Sequence, residues 1–194
     1  MIQHFTSPLE DHDPSEPSIF LPRNLLDGAR RYKRLPEQPV PVGCLLDMDG
    51  ELVERLTQSR RAVLDANWPC FHTRLYRWKV GGSEFGVIGG TIGAPFAVLV
   101  AEELFASGCE ALLSISAAGL VSADARPPFF VLIERALRDE GTSHHYLAPS
   151  RYAEAWGSAP RARSQRSGSG CQQLGRSETG SSGSSRLPSA TSFQ

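Results

Sequence analysis

The chain has 194 residues, 40 % of them hydrophobic, and a formal net charge of -1, which is compatible with a single globular domain. Residues 156–194 carry five Arg and one Glu, so the rest of the chain is mildly acidic. An acidic body argues against nucleic-acid binding. No apolar run approaches the roughly 18 residues of a membrane span. Four Cys without paired or metal-like spacing indicate reduced thiols and a cytoplasmic location.

Composition divides the sequence into three parts. Residues 1–41 are polar and Pro-rich, with a short helix predicted from an Asn24 cap to about Tyr32. Residues 42–155 have the patterning of a folded domain. Residues 156–194 include 11 Ser and 6 Gly, and this composition cannot bury enough apolar surface to offset the entropy of ordering. The sequence therefore predicts an N-terminal extension, one domain and a disordered Ser/Gly/Arg tail.

Hydrophobic patterning within residues 42–155 predicts alternating strands and helices. A strand, a glycine-rich turn, a helix and a second strand form a βαβ unit, which implies parallel strands. Its helix is apolar nearly all round, which favours burial against a sheet. The predicted elements are a strand at 42–46, a turn and helix from Leu46, a hairpin of 71–80 with 83–89, the βαβ unit of 85–88, 94–107 and 111–116, and a strand at 129–136.

The glycine-rich turn Gly89-Gly90-Thr91-Ile92-Gly93 lies at a helix N-terminus, where free N–H groups and the helix dipole favour an anion. It lacks the Gly-Lys-Ser/Thr of a phosphate-binding P-loop and the GxGxxG spacing of a dinucleotide fold. Two interpretations stay open, a tight strand-to-helix turn and an anion or ligand site.

A second polar segment, residues 139–146, combines two carboxylates, two hydroxyls and two imidazoles. It is predicted to be either a substrate-facing loop or a loop whose polar side chains bond to their own backbone. A metal site is disfavoured because adjacent His side chains diverge and no third ligand is suitably spaced. The sequence Asp47-Met48-Asp49-Gly50 lacks the Glu of a calcium loop and is interpreted as a turn and helix cap.

Three stretches resemble the purine/uridine nucleoside phosphorylase family. They are IGGTIGAPFAVLVAEEL, ALLSISAAGLV and RDEGTSHHYL, which is the most specific. The resemblance covers about residues 42–152 and implies a three-layer α/β sandwich with a mixed, largely parallel β-sheet, incomplete at its C-terminus. It also implies a homo-oligomer, a small-molecule nucleoside as ligand, and inorganic phosphate as co-substrate but no cofactor. In this chemistry phosphate attacks C1 of the sugar while the bond to the base breaks, so anionic charge must be stabilised.

The resemblance places residues in two parts of a pocket. The phosphate and sugar side would use mainly backbone N–H groups and one hydroxyl, from Gly90, Gly93, Ser114, Ala117, Ala118 and Gly119. The 139–146 segment would line the pocket or order its own loop through Glu140, Ser143 and His145. No catalytic residue and no metal ligand is assigned.

The chain departs from the family at the phosphate site. The positions where the family has three Arg, a Thr and a Gly are occupied by Leu52, Phe71 and Ser114, by Ala117, and by Met48. Arg74 and Arg77 lie close to Phe71 in the sequence. Each charge-assisted hydrogen bond contributes roughly 1.5–3 kcal/mol, so the sequence predicts weak phosphate binding.

The family's ribose motif, a Met between two Glu, is absent, because the only Met residues are Met1 and Met48. A truncation or shifted reading frame near Ala155 is one expectation, and a native extension on a pseudoenzyme is the other. The leading function is N-glycosidic cleavage of a ribonucleoside, purine or uridine, in nucleoside salvage, with this chain impaired. The alternatives are a hydrolytic nucleosidase of the same fold and a non-catalytic nucleoside- or partner-binding protein.

Overall fold

The computed structural model describes residues 13–121 and 128–155. Residues 15–118 form one compact unit, and residues 119–155 belong to a second. The boundaries expected at residues 41 and 155 remain predictions.

The unit of residues 15–118 contains three helices and five strands in its described part. In chain order they are α1 (Pro22–Lys33), β1 (Gly43–Asp47), α2 (Glu51–Gln58), β2 (Ala62–Leu64), β3 (Leu75–Val80), β4 (Ser83–Gly89), α3 (Ala94–Ala106) and β5 (Ala111–Ile115). The second unit contains β6 (Arg135–Leu137), a 3-10 turn at Ser143–His145 and β7 (Tyr152–Glu154).

The five strands form one mixed sheet in the order β2-β3-β4-β1-β5. Strand β1 pairs in parallel with both β4 and β5, whereas β3 is antiparallel to β4 and to β2. The α/β class and the hairpin of β3 and β4 are confirmed. The two strands of the predicted βαβ unit are parallel, but β1 lies between them. A tight turn at Gly81 and Gly82, both with positive φ, joins the hairpin strands.

Helices cover both faces of this sheet. On one face Ile88 and Leu46 belong to a core cluster with Leu104 of α3, and all three are at most 2 % exposed. On the other face α2 packs on β4 and β1. The result is a three-layer arrangement.

Helix α1 begins earlier than the sequence predicts. Its N-cap is Leu21 and its first residue is Pro22, so the expected cap at Asn24 is wrong. The Asn24 backbone N–H already donates to the carbonyl of Leu21 at 2.9 Å. Proline is well suited to the first helical position because it has no N–H to satisfy there, and this position outweighed the capping preference of Asn.

At its other end, α1 is anchored by Lys33. The Lys33 ammonium donates to the carbonyls of Pro69 and Cys70, each at 2.7 Å, and lies 4.5 Å from the centre of the Phe71 ring. This charged side chain therefore links the helix C-terminus to the segment before β3.

The last strand predicted from the sequence is much shorter than expected. Residues 129–134 have no strand pairing, and β6 begins at Arg135, where it pairs with β7. The apolar run from Phe129 to Ile133 is exposed within the described structure. Hydrophobic periodicity shows that a segment could form a strand, but it does not show whether a second strand lies beside it to complete the hydrogen-bonded ladder.

Helix α3 packs against the sheet, as its apolar sequence predicts, but part of its surface is exposed. Val100 and Leu104 are fully buried, whereas Phe105 is half exposed. Glu103 is 1 % exposed, and one of its carboxyl oxygens, Oε2, has no hydrogen-bond partner among the residues that the structure describes. Burial raises the pKa of Glu103, although the Cys70 hydrogen bond and the charges of His72 and Lys33 oppose this rise.

We expect Glu103→Gln to remove a pH-dependent cost of folding. Because the folded-state pKa lies above the unfolded value, the ionised carboxyl is disfavoured in the fold. The wild-type free energy of unfolding should therefore fall, relative to the variant, as pH rises from about 4.5 through the folded-state pKa. Urea titrations at several pH values measure this difference. The matched change Glu110→Gln alters an exposed carboxyl, and an equal pH-dependent difference there would contradict the assignment.

No helix in residues 13–121 and 128–155 is long and apolar enough to cross a membrane.

Candidate functional site

The carboxyl ends of three parallel strands meet at one edge of the sheet. Asp47, the last residue of β1, lies opposite Gly89 of β4 on one side and Ile115 of β5 on the other. Three loops start from this edge, residues 48–50, 90–93 and 116–118. In open α/β sheets the ligand crevice lies at such an edge, where the connections run to opposite sides. This loop cluster is the candidate site.

Main-chain hydrogen bonds fasten the loops to one another. The Asp47 carbonyl accepts N–H groups from Gly90 at 2.9 Å and from Gly50 at 3.1 Å, and the Met48 N–H donates to the Ile115 carbonyl at 2.9 Å. Residues from three separate strand ends are thereby held in one arrangement. Such fixed backbone geometry is what a binding site requires.

The buried Asp47 carboxylate holds the start of α2. Its Oδ2 accepts the backbone N–H of Val53 at 2.9 Å, in the first turn of that helix, where the N-cap residue is Gly50 with φ +83°. Gly50 has no side chain that could cap the helix, so Asp47 supplies the capping oxygen instead. The turn and helix cap predicted for residues 47–50 is thus present, with Asp47 as the capping side chain.

Asp49 joins the first loop to the third. Its Oδ2 accepts the Ala117 backbone N–H at 2.7 Å. A bound anion at this loop would need such N–H groups itself. The exposed Asp49 carboxylate therefore occupies one donor and adds negative charge to a position where the family resemblance implies a phosphate.

The glycine-rich turn has the backbone conformation predicted for it. Gly90 and Gly93 have φ of +74° and +99°, which L-residues with side chains rarely adopt. Gly93 is the N-cap of α3, and within residues 13–121 and 128–155 no side chain caps this helix start. Between the two glycines, Thr91 is fully buried and its hydroxyl donates to the Met48 sulfur at 3.4 Å. The turn thus combines a backbone conformation that depends on glycine with helix N-terminal amides that no side chain of the described residues caps.

Five of the predicted site residues lie at this edge in the first unit, namely Gly90, Gly93, Ser114, Ala117 and Ala118. Ser114 is the penultimate residue of β5 and is exposed. Gly119, Glu140, Ser143 and His145 belong to the second unit, which is described by itself.

The two arginines near Phe71 have different surroundings. Leu75 pairs with Ile88 in antiparallel register, so the exposed Arg74 lies near the carboxyl end of β4. Arg77 pairs with Gly86, in the middle of β4. Its guanidinium forms ion pairs with Asp65 at 2.7 Å and with Glu84 at 2.8 Å. Arg74 is therefore at the candidate edge, while Arg77 is occupied elsewhere.

The loop of the second unit is organised by Arg138, a residue that the sequence analysis did not single out. This side chain is 8 % exposed. Its guanidinium donates to the Ser143 carbonyl at 3.0 Å, the Leu147 carbonyl at 3.1 Å, the Ala148 carbonyl at 2.7 Å and the Ser150 hydroxyl at 2.8 Å. One cation thus ties together eight consecutive residues.

Glu140 also bonds within its own loop. Its carboxylate accepts the backbone N–H of Thr142 at 2.6 Å and that of Ser143 at 3.0 Å. Burial alone would raise the pKa of Glu140, but the hydrogen bonds from Ser143 and Thr142 outweigh it and hold the pKa below its usual value. The His145 backbone N–H donates to the Thr142 carbonyl at 3.0 Å. Glu140 therefore bonds to Thr142 and Ser143 within its own loop, and the role of Glu140 and Ser143 in a pocket stays a prediction.

No group of three or more His, Cys, Asp or Glu side chains that could hold a metal occurs among residues 13–121 and 128–155. Sequence reasoning missed Asp49 at the loop edge and Arg138 in the second unit. The available signal for Asp49 was its position two residues after a buried strand, at the edge where loops converge.

Comparison with known proteins agrees with this architecture. The family model of the Phosphorylase superfamily matches residues 41–177, well over half of the chain. Uridine phosphorylase from Vibrio fischeri is 21 % identical with a TM-score of 0.53, and the match covers 62 % of this chain and 50 % of that one. A second crystal structure of that enzyme, with 6-hydroxy-1-naphthoic acid, is 20 % identical with a TM-score of 0.50, covering 59 % and 50 %.

Purine nucleoside phosphorylase from Toxoplasma gondii, in complex with immucillin-H, is 21 % identical over 42 % of this chain and 32 % of that one, with a TM-score of 0.35. No curated protein matches the chain. The chain spans about half the length of the uridine phosphorylase structures. The family model matches residues 41–177, and the fold with its convergent loop edge agrees with that match. The chain therefore belongs to the Phosphorylase superfamily.

Proposed function

We propose that this chain forms the sugar and nucleophile side of a site that cleaves the N-glycosidic bond of a ribonucleoside, purine or uridine. The observation that carries the proposal is the loop edge itself, where β1, β4 and β5 end together. There the end of β1 and the loop after it are hydrogen-bonded to Gly90 on one side and to Ala117 on the other. Family membership supports the same chemistry. We further infer a cytoplasmic homo-oligomer acting in nucleoside salvage.

In phosphorolysis a phosphate oxygen bonds to C1 of the ribose, the C1–N bond breaks, and the base leaves with a proton. The products are ribose 1-phosphate and the free base. Loops 48–50, 90–93 and 116–118 contain no Arg or Lys. Residues without charge occupy the positions where the family has Arg. We therefore expect the phosphate affinity of this chain to be on the order of 10³-fold or more below that of a family member with those Arg residues, and we expect turnover to be correspondingly impaired.

The Asp49 carboxylate favours a second candidate, hydrolysis. Here water replaces phosphate, its oxygen bonds to C1, one of its protons goes to the departing base, and the products are ribose and the base. A carboxylate bonded to Ala117 N–H repels a phosphate anion but tolerates a neutral water molecule. A non-catalytic nucleoside-binding protein is the third candidate, and it would release no base at all.

Product analysis separates these reactions. We expect uridine or inosine incubated with the full chain to release base slowly, and we expect added phosphate to change the sugar product only weakly. Chromatography of the base and phosphorus NMR of ribose 1-phosphate measure both. Binding without base release would overturn the enzymatic proposal. Base release at an ordinary phosphorylase rate would overturn the proposed impairment.

Asp49→Asn tests the charge at the loop edge. The amide oxygen can keep the Ala117 hydrogen bond while the negative charge is lost. Two unit charges 4 Å apart interact by about 1 kcal/mol even in water, so we expect phosphate affinity to rise by at least about fivefold. Phosphate-dependent base release, or phosphorus NMR titration, measures it. Glu51→Gln, which neutralises an exposed carboxylate at the start of α2, is the matched control, and equal effects of the two changes would refute a local role for Asp49.

A further inference from the structure

The surface around α1 combines exposed apolar side chains with basic ones. Ile19, Phe20 and Leu21, directly before the helix, are 103 %, 63 % and 48 % exposed. Single exposed apolar residues are common on protein surfaces, but a contiguous group of large ones marks an interaction surface. None of the three belongs to the loop edge of the candidate site.

The apolar residues of α1 itself are already used by the fold. The helix packs against α3, and its buried residues are Leu26 and Ala29, each 1 % exposed. Because a helix has about 3.6 residues per turn, Arg31 lies on the face opposite to both. The helix is therefore attached to the protein by one face and presents a basic face to solvent.

Positive charge is concentrated in this segment. Residues 19–34 contain five of the chain's 20 Lys and Arg but only one of its 21 Asp and Glu. Arg23, Arg31 and the C-cap residue Arg34 are exposed, and none of the three forms an ion pair with another described residue. The one acidic residue, Asp27, is paired with Arg30 at 3.5 Å. Uncompensated guanidinium groups thus lie on the helix that follows the apolar group.

This combination distinguishes between classes of partner. A nucleic-acid backbone would pair with the arginines but would leave the apolar residues 19–21 in water. A protein partner would need acidic groups beside an apolar pocket at the matching spacing. An anionic bilayer satisfies both parts, because its headgroups attract Arg while large apolar side chains enter the boundary between headgroups and acyl chains.

We propose that residues 19–34 attach the chain to the surface of an anionic lipid bilayer. Ile19, Phe20 and Leu21 enter the headgroup region, and the exposed arginines of α1 pair with lipid phosphates and carboxylates. Apolar insertion and basic charge together give a stable attachment where either one alone is marginal. The attachment is independent of any reaction at the loop edge.

Co-sedimentation of the full chain with lipid vesicles tests this proposal. We expect binding to an equal mixture of phosphatidylcholine and phosphatidylserine to be at least about tenfold tighter than binding to phosphatidylcholine alone. We expect this binding to weaken as salt is added, because salt screens exposed charges.

The basic part is tested by replacing Arg23 and Arg31 together with Gln. The affinity for the mixed vesicles should fall by about tenfold or more, since each basic residue near an anionic surface contributes about fivefold. The matched control replaces Arg60 and Arg61, two exposed arginines after α2, and removes the same charge. It should change the affinity by less than about twofold.

The apolar part is tested by Phe20→Ser, which should weaken binding to the mixed vesicles by about tenfold. Phe130→Ser removes a side chain that is 85 % exposed in the second unit and should leave binding unchanged. Both replaced residues are exposed, so circular dichroism should show the same fold in both variants.

Absence of co-sedimentation with the mixed vesicles would overturn the proposal. Equal losses from the two pairs of Arg replacements would also overturn it, because net charge alone would then explain the binding. Binding that depends on Arg23 and Arg31 but not on Phe20 would replace the bilayer with a purely charged partner, such as an RNA or an acidic peptide.

Discussion

Replacing Arg138 with Ala should release the loop of residues 139–150 from its ordered conformation. The guanidinium donates to four main-chain carbonyls and two hydroxyls in this loop, and each charge-assisted bond contributes roughly 1.5–3 kcal/mol. The contributions do not add fully because the partners share one network. We expect the free energy of local opening to fall by about 3 kcal/mol, which is roughly a hundredfold change in the opening equilibrium.

Amide hydrogen exchange at Tyr146 and Leu147 measures this change. Both amides donate to the Ser143 carbonyl at 3.1 Å, and Arg138 binds the same carbonyl. The expected result is exchange about a hundredfold faster in the variant.

Arg135→Ala, three residues earlier at the start of β6, is the matched control. Arg135 is exposed and lies 4.8 Å from the centre of the Tyr152 ring, a contact that contributes about 0.5–1 kcal/mol at an exposed site. We expect its effect on Tyr146 exchange to stay below about fivefold. Similar exchange in the wild type and in Arg138→Ala would show that the loop is held by its own backbone turns instead.

The sheet was accessible to sequence reasoning where hydrophobic periodicity and turn chemistry agreed. The β3–β4 hairpin follows from alternating residues around Gly81-Gly82, and α3 follows from Pro95 and the apolar run after Gly93. Strand order was not accessible, because the insertion of β1 between β4 and β5 depends on tertiary pairing. The short strand β2 was missed because it has only three residues.

The candidate site was predicted through its backbone more than through its side chains. Gly90 and Gly93 could be predicted because positive φ has a residue preference. The hydrogen bonds of Asp49, and those of Arg138 in the second unit, could not be predicted, because their partners are main-chain groups far along the chain or spread over a loop. Main-chain donors and acceptors occur in every sequence, so the sequence gives no sign of which side chain will use them. Buried Arg is also rare.

Ile88→Ala should cause the largest loss of global stability among the changes considered for the unit of residues 15–118. Ile88 is fully buried in the core cluster with Leu46 and Leu104, and its backbone pairs with Leu46 of β1 and Leu75 of β3. Deleting three buried carbons leaves a cavity that rigid strands on both sides cannot close. We expect the free energy of unfolding to fall by about 3 kcal/mol, within the 2–5 kcal/mol seen for such truncations.

Urea unfolding followed by circular dichroism measures this loss, with Ile92→Ala as the matched control. Ile92 lies four residues further along the same segment and is 62 % exposed, so its truncation should cost less than about 0.5 kcal/mol.

Ile88 is also two residues before Gly90, so the core under β4 supports the turn at the candidate site. A destabilised Ile88→Ala that still binds nucleoside as the wild type does would show that the turn is held by its loop hydrogen bonds rather than by this core. Equal losses of stability in the two variants would contradict the packing of β4 described above.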